Sequence, residues 1–403
     1  MPRAPRSGAR AVVGRVDPAA RLPCMATRTG PDPEAAVLWA SVHERPGVGP
    51  VRAAAWLAAS ASLRDAVAAA RRGRVEGVDP RAAHELRAAV DDAALRRADQ
   101  RVRRWRRSGV AVLGLGGPDY PEALTHLPDP PPLLFVRGRL PATLTRRDGL
   151  PRAVAVVGTR GAEAWATAFA RDLGRDLARA GVVVVSGLAL GVDGAAHRGA
   201  VQAGADGAPT VAVLAGGLDR VHPPHHAGLA DAIASDGALV SEHPPGVTPT
   251  RGSFPRRNRI MVALSALLAV IQAPFRSGVQ HSVTRAAQLG RDLWVVPDRP
   301  ESEFGRAAAA LLADGAAPLT RASELLEALG IAPDARAPEE ARTALPDDPL
   351  ERAIVARMRR DGPLREDDLV DLAPTLLTVL ATLSRLDARG WIARDEAGRW
   401  RVA

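Results

Sequence analysis

The chain has 403 residues, 46% of them apolar, and a single cysteine, Cys24; that is enough for two or three domains, excludes an internal disulfide and fits a reducing cytoplasm. No apolar run reaches the ~18 residues that cross a bilayer, so no membrane partner is expected. The net charge is +9 without one lysine, and Asn and Tyr occur once each, as Asn258 and Tyr120; such a composition points to a GC-rich genome, so local clustering of arginine says more about nucleic acid than overall basicity does.

Residues 1–33 are rich in Arg and Pro and lack a long apolar stretch. They read as a disordered leader or a mis-assigned start, not as a secretory signal. Residues 34–108 read as all-helical. Within them Gly47-Val48-Gly49, flanked by prolines, separates two helical patterns. It is either a plain interhelix turn or a helix-hairpin-helix turn offering N–H groups to a phosphate. The cluster Arg101, Arg103, Arg104, Arg106 and Arg107 reads as a solvated helix face, with DNA contact as the alternative.

From Gly109 to Arg139 the sequence predicts short strands broken by prolines, lying as an extension on the next domain. From Ala153 onward, short apolar runs (AVAVVG, VVVVSG, TVAVLAGG, GALVSE, LLAVIQA, LWVVP) alternate with helical stretches. This predicts an α/β fold, a Rossmann-like doubly wound and mainly parallel sheet, within a domain spanning 109–330. Ligands of such sheets bind beyond the carboxyl ends of the strands. Residues 331–348 read as a linker. Residues 349–403 read as three helices and a hairpin turning at Ala397-Gly398, the pattern of a winged helix. Its presumed recognition helix, Thr375 to Arg389, carries few cations, and the helix before it is acidic. That favours a protein-contact or autoregulatory role over duplex reading.

Several strand ends carry chemistry. Gly158-Thr159-Arg160-Gly161 joins a strand to a helix, where free N–H groups can meet an anion. It lacks the G-x-G-x-x-G run and the acid of a dinucleotide site, so no NAD or FAD cofactor is expected. The segment from Ser186-Gly187 to Gly194 has glycines suited to close approach of a ligand. Asp193 reads as a helix cap or as a residue that holds the loop, and His197 as either structural or ligand-facing. His222, His225 and His226 lack the spacing of a zinc site. The sharpest signal is Arg251 to Arg259, read as a loop. Between His243 and Arg291 there are seven arginines and no acid. Guanidinium forks fit phosphate oxygens, Phe254 can stack on a base, and Asn258, the sole asparagine, points to a specific hydrogen bond. A solvated basic loop, with Asn258 capping the following helix, is the bland alternative. Ser277-Gly278 opens a further helix and offers another anion contact.

In this order and spacing, VVGTR, SGLALGVDGAAHRGA, TVAVLAGGLDRVHP, LVSEHPPG, FPRRNRI, a Ser-Gly before a helix and LGR before a strand resemble the DprA/Smf family (DNA-processing protein A), from about Tyr120 to Leu319. The resemblance implies a core that binds single-stranded DNA in a basic pocket, forms a homodimer, protects incoming strands and loads the RecA recombinase in natural transformation, with no catalytic activity and no cofactor. The pocket residues it implies are Arg160, Ser186, Gly187, Phe254, Arg257, Asn258 and Arg259, joined by Arg256 from the same run and bordered by Ser277 and Gly278. Leu190 stands where the family often has a basic residue, Gln272 where it has Glu or Asp, Asp298 where it has Gly, and Ser282-Val283 where it has Thr-Ala. Two rival readings are a nucleotide N-glycosidase and an interaction module with a vestigial pocket. The first is disfavoured because no PGGxGTxxE run exists; the departures motivate the second.

Overall fold

Uninterrupted runs of Val, Ala, Leu and Ile form the central strands, and those strands are buried along almost their whole length. That is the signature of a parallel sheet covered on both faces. The structure is a computed structural model describing residues 33–145, 150–204, 207–275, 277–299, 301–331, 348–388, 391–395 and 398–402. Nearly all of the expected leader and linker, together with Cys24, Arg276 and Ala397, therefore lie outside the described residues.

Five helices come first: α1 (Pro33–His43), α2 (Pro50–Ala58), α3 (Leu63–Arg71), α4 (Pro80–Ala89) and α5 (Asp92–Arg107). They alternate thereafter with strands: β1 (Val110–Gly114), α6 (Glu122–Thr125), β2 (Leu133–Gly138), α7 (Ala142–Thr145), β3 (Ala153–Gly158), α8 (Ala164–Arg179), β4 (Val183–Ser186), α9 (Val192–Gln202), β5 (Val211–Val213), α10 (Ala227–Asp236), β6 (Ala238–Ser241), α11 (Ser253–Ala263), β7 (Leu267–Ile271), α12 (Val279–Gln288), β8 (Asp292–Val295), α13 (Glu303–Ala313) and β9 (Ala317–Pro318). The sheet order is β1-β2-β6-β5-β4-β3-β7-β8-β9. From β6 through β8 every pairing is parallel.

The segment expected to lie on the sheet is instead part of it. Strand β2 pairs antiparallel with β6, placing Phe135 opposite Ser241, and β1 pairs antiparallel with β2. The apolar run Leu133–Val136 is buried, and its pairing gives the exposed edge of β6 a backbone partner.

The helices α1 to α5 share a continuous hydrophobic core with the sheet. Trp39 meets Trp56 edge-on at 5.9 Å and donates its indole N–H to the Leu115 carbonyl at 2.6 Å. Trp105 meets Phe135 edge-on at 5.0 Å. The Gly47-Val48-Gly49 turn is closed from within, because Arg52 donates to the Gly47 carbonyl at 2.9 Å. One compact unit therefore runs through the helices and the sheet to Ala317.

A second unit begins at Pro318. It contains α14 (Ala322–Ala328), α15 (Pro349–Asp361), a 3-10 segment (Glu366–Leu372), α16 (Leu376–Ala388) and the hairpin of β10 (Ile392–Arg394) with β11 (Trp400–Val402). Its core gathers Ile354, Val355, Met358, Leu369, Val379, Leu383, Leu386, Ile392 and Trp400.

Candidate nucleic-acid interface

The strand order reverses between β3 and β7. Chain segments leaving these two strands diverge, and a crevice opens at their carboxyl ends. The chain must also return from β6 past β5, β4 and β3 to reach β7. That return carries α11, which bears the FPRRNR motif. The run expected as a loop is thus a helix from Ser253 to Ala263. Pro255 is tolerated there because it falls in the first turn, where no intrahelical N–H is needed.

The four arginines of Arg251 to Arg259 divide into two kinds. Arg251 and Arg256 are exposed, whereas Arg257 and Arg259 are 6% and 4% exposed. Arg257 donates to the Val213 carbonyl at 2.6 Å and to Asp193 at 3.4 Å. Arg259 bonds Glu242 at 2.5 Å and approaches Asp129 at 3.1 Å. The two buried arginines of the acid-free stretch are therefore paired with carboxylates that lie outside it. Burial raises the Asp193 pKa against the pull of Arg257, and burial lowers that of Arg257 against the pull of Asp193. The desolvation of this pair outweighs its attraction, as is common for buried ion pairs.

The glycines expected to admit a ligand stand tightly against protein groups. A Cβ on Gly187 would stand 1.5 Å from Nη1 of Arg257. One on Gly191 would meet the Thr159 carbonyl at 2.3 Å, and one on Gly194 the His226 ring at 2.5 Å. His226 donates from Nδ1 to the Leu188 carbonyl at 2.9 Å, and its Nε2 accepts from Arg198 at 3.0 Å. Leu188 is fully buried at φ 57°, a left-handed conformation that costs a leucine roughly 1–3 kcal/mol. The His226 bond and the surrounding packing hold that strain at the carboxyl end of β4. Among the described residues, no group of three or more His, Cys, Asp or Glu could hold a metal ion.

The other expected site residues are placed as follows. Ser186 is fully buried and donates to the Val156 carbonyl at 2.6 Å. Asn258 does make a specific bond, from Nδ2 to the Gly278 carbonyl at 3.0 Å, tying α11 to the start of α12. It caps nothing, because it lies inside α11. Ser277 is half-buried and Gly278 exposed at that junction. Asp193, read as a cap, is the counter-ion of Arg257; Gly191 is the N-cap of α9. His197 is fully buried. Thr210 donates its hydroxyl proton to the Val184 carbonyl at 2.7 Å, so His197 Nδ1 donates to Thr210 at 2.8 Å.

What faces outward at the crevice is Arg160, with Cζ 4.7 Å from the centre of the Phe254 ring. Phe254 is half-buried and also touches His222 at 5.8 Å between ring centres. Arg160, Arg251 and Arg256 form no ion pair with any described residue. Exposed apolar groups stand at the same carboxyl edge: Leu190 after β4 and Phe275 after β7, 47% and 49% exposed. Phe275 escaped the sequence reading because it stands alone between motifs.

The first glycine turn runs into an acid. Glu163 holds the N-cap position of α8 without a side-chain cap bond, and its carboxylate binds Arg299 at 2.9 Å and the Trp165 indole at 2.7 Å. Its own N–H donates to Gln272 Oε1 at 2.7 Å, and Gln272 Nε2 donates to Asp298 at 3.2 Å. The departures at Gln272 and Asp298 thus touch each other. An acid at 272 would face the Asp298 carboxylate, so the amide and the aspartate accommodate one another.

Residues 111–330 match the family described as DNA recombination-mediator protein A. The chain belongs to the DprA/Smf family. It is 34% identical to the Smf protein of Synechocystis sp. over 66% of this chain and 67% of that one. It is 39% identical to the putative DNA processing protein DprA of Mycobacterium tuberculosis over 62% of this chain and 64% of that one. The crystal structure of DNA processing protein A from Streptococcus pneumoniae superposes with a TM-score of 0.51 and 29% identity, covering 62% of this chain and 82% of that one. The DprA/Smf match spans the crevice, α11 and both sides of the strand-order reversal.

Proposed function

We propose that this protein binds single-stranded DNA across the carboxyl ends of β3, β4 and β7, and that this binding serves strand protection and RecA loading during DNA uptake and recombination. The observation that carries the reading is the outward-facing Arg160, Arg251 and Arg256 beside Phe254, at the strand-order reversal of a DprA/Smf core. Guanidinium groups without a carboxylate partner are free to take phosphate oxygens. The Phe254 face offers a stacking platform that a splayed base of a single strand can reach and a paired base cannot. Arg257, Arg259, Ser186, Gly187 and Asn258 act from behind: they fix α11 against β4, β5 and α12 and so set where the exposed groups stand. The same core forms the homodimer, and the second unit has the element order of a winged helix that contacts protein. The site chemistry requires no catalytic group and no cofactor.

The test is equilibrium binding of labelled single-stranded and duplex DNA over a salt series. The reading expects tighter single-strand binding and an affinity falling with salt. Phe254→Ala should weaken single-strand binding by about 1–3 kcal/mol while leaving the salt dependence unchanged. Equal or absent binding of the two forms, without salt dependence, would overturn it.

A further inference from the structure

Helix α5 presents a second cationic surface in the same compact unit. At 100° per residue, Arg96, Arg97, Gln100, Arg103, Arg104 and Arg107 fall within an arc of about 120°, and all six are exposed. The opposite face buries Ala94, Ala98 and Val102 in the core. The acids on or beside the helix are engaged: Asp91 with the Ala93 and Ala94 N–H groups, Asp92 with Arg71, Asp99 with Arg103, and Glu44 with Arg101. Arg96, Arg97, Arg104 and Arg107 form no ion pair with any described residue. Helix stability explains only part of this. Arg104 and Arg107 lie in the last turn, where the helix dipole favours cations. Arg96 and Arg97 lie near the start of the helix, where it does not. None of the exposed large apolar side chains lies on α5, so the face has nothing to insert into a lipid layer.

We infer that the outer face of α5 is a second contact for the phosphate backbone of the DNA strand held at the carboxyl edge. The inference rests on the single-strand reading above. Four unpaired guanidinium groups spread over about 16 Å of helix complement an extended polyanion better than a discrete anion. The separation suits a longer strand: α5 packs on β1, and β1 stands four strand positions from β4 and five from β3, about 19–24 Å across the sheet. A strand longer than the crevice reaches it, and a short one does not.

The test uses the full chain carrying Arg96→Gln, Arg97→Gln, Arg104→Gln and Arg107→Gln, glutamine being a good helix former. Binding of a short and a long oligodeoxythymidine, a long duplex and phosphatidylserine vesicles is measured over a salt series. A partner variant carries Arg160→Gln and Arg256→Gln. The α5 variant should bind the short strand as the parent does. It should bind the long strand more weakly, with a log–log salt slope smaller by about 3, at about 0.7 for each phosphate no longer neutralised. Unchanged long-strand affinity and slope overturn the inference, and so does a weakening confined to the duplex or the vesicles. Failure of the crevice reading is distinct: short-strand binding would then survive in the Arg160/Arg256 variant.

Discussion

The guanidinium of Arg257 occupies the space that a side chain on Gly187 would fill, 1.5 Å from where a Cβ would stand. The glycine of the SG motif and the second arginine of FPRRNR are therefore two halves of one packing arrangement. They lie far apart in sequence and meet where α11 crosses the end of β4. The glycine is needed to seat an arginine that neutralises Asp193.

Gly187→Ala should accordingly destabilise the protein by displacing Arg257. Arg257→Ala alone should cost about 3–5 kcal/mol, because it leaves Asp193 buried without its counter-charge. The two changes should be less than additive, with a coupling of about 0.5–3 kcal/mol, since the truncated arginine no longer opposes the new methyl group. Urea unfolding of the two single variants and the double variant measures this. Full additivity would separate the two residues.

Gln272 and Asp298 make a second testable pair. Gln272→Glu replaces a donated hydrogen bond with carboxylate repulsion across 3.2 Å and should lower stability by about 1–3 kcal/mol. Asp298→Gly in the same chain should restore most of that stability. If Gln272→Glu is neutral on its own, the two departures from the family pattern are independent.

Stability should also fall on mild acidification. Burial drives the pKa of His197 down to about 3 from 6.5. Between those values the unfolded chain binds a proton that the folded chain refuses, so stability is lost as pH drops through this window, by up to about 1.4 kcal/mol per unit. His43 and His243 are lowered by burial as well and add in the same sense. Asp193, raised by burial, opposes them, because its contribution is lost as pH rises. Urea midpoints between about pH 7 and about pH 5 should decline for the parent and decline less for His197→Gln. A flat parent profile would refute the neutral, buried imidazole.

The sheet was legible in the sequence because its strands are continuous apolar runs, which only a doubly covered sheet buries. Val154 to Val157 and Leu268 to Ile271 could hardly sit elsewhere. The α5 face was legible only in part: Arg103, Arg104 and Arg107 of the expected cluster lie on it, whereas Arg101 turns inward to pair with Glu44, and Arg96 and Arg97 were not singled out. The arginine run was misleading. Counting charge between His243 and Arg291 suggested free cations, yet Arg257 and Arg259 find Asp193 in α9, Glu242 one residue before the counted stretch, and Asp129 in a distant loop. Local charge counts miss partners supplied by tertiary folding. The asparagine argument fared differently. A residue used once, Asn258, was expected to make a specific hydrogen bond and makes one to Gly278, although its partner is protein.

The central claim is that exposed Arg160 and Arg256 hold the strand while buried Arg257 positions them. It is tested most directly by single-strand binding over a salt series for Arg160→Gln with Arg256→Gln, alongside the melting temperature of the same variant. The expected result is an unchanged melting temperature, weaker binding and a salt slope smaller by about 1.4, at about 0.7 for each of two phosphates left without a guanidinium. Parental affinity and slope in that variant would contradict the account.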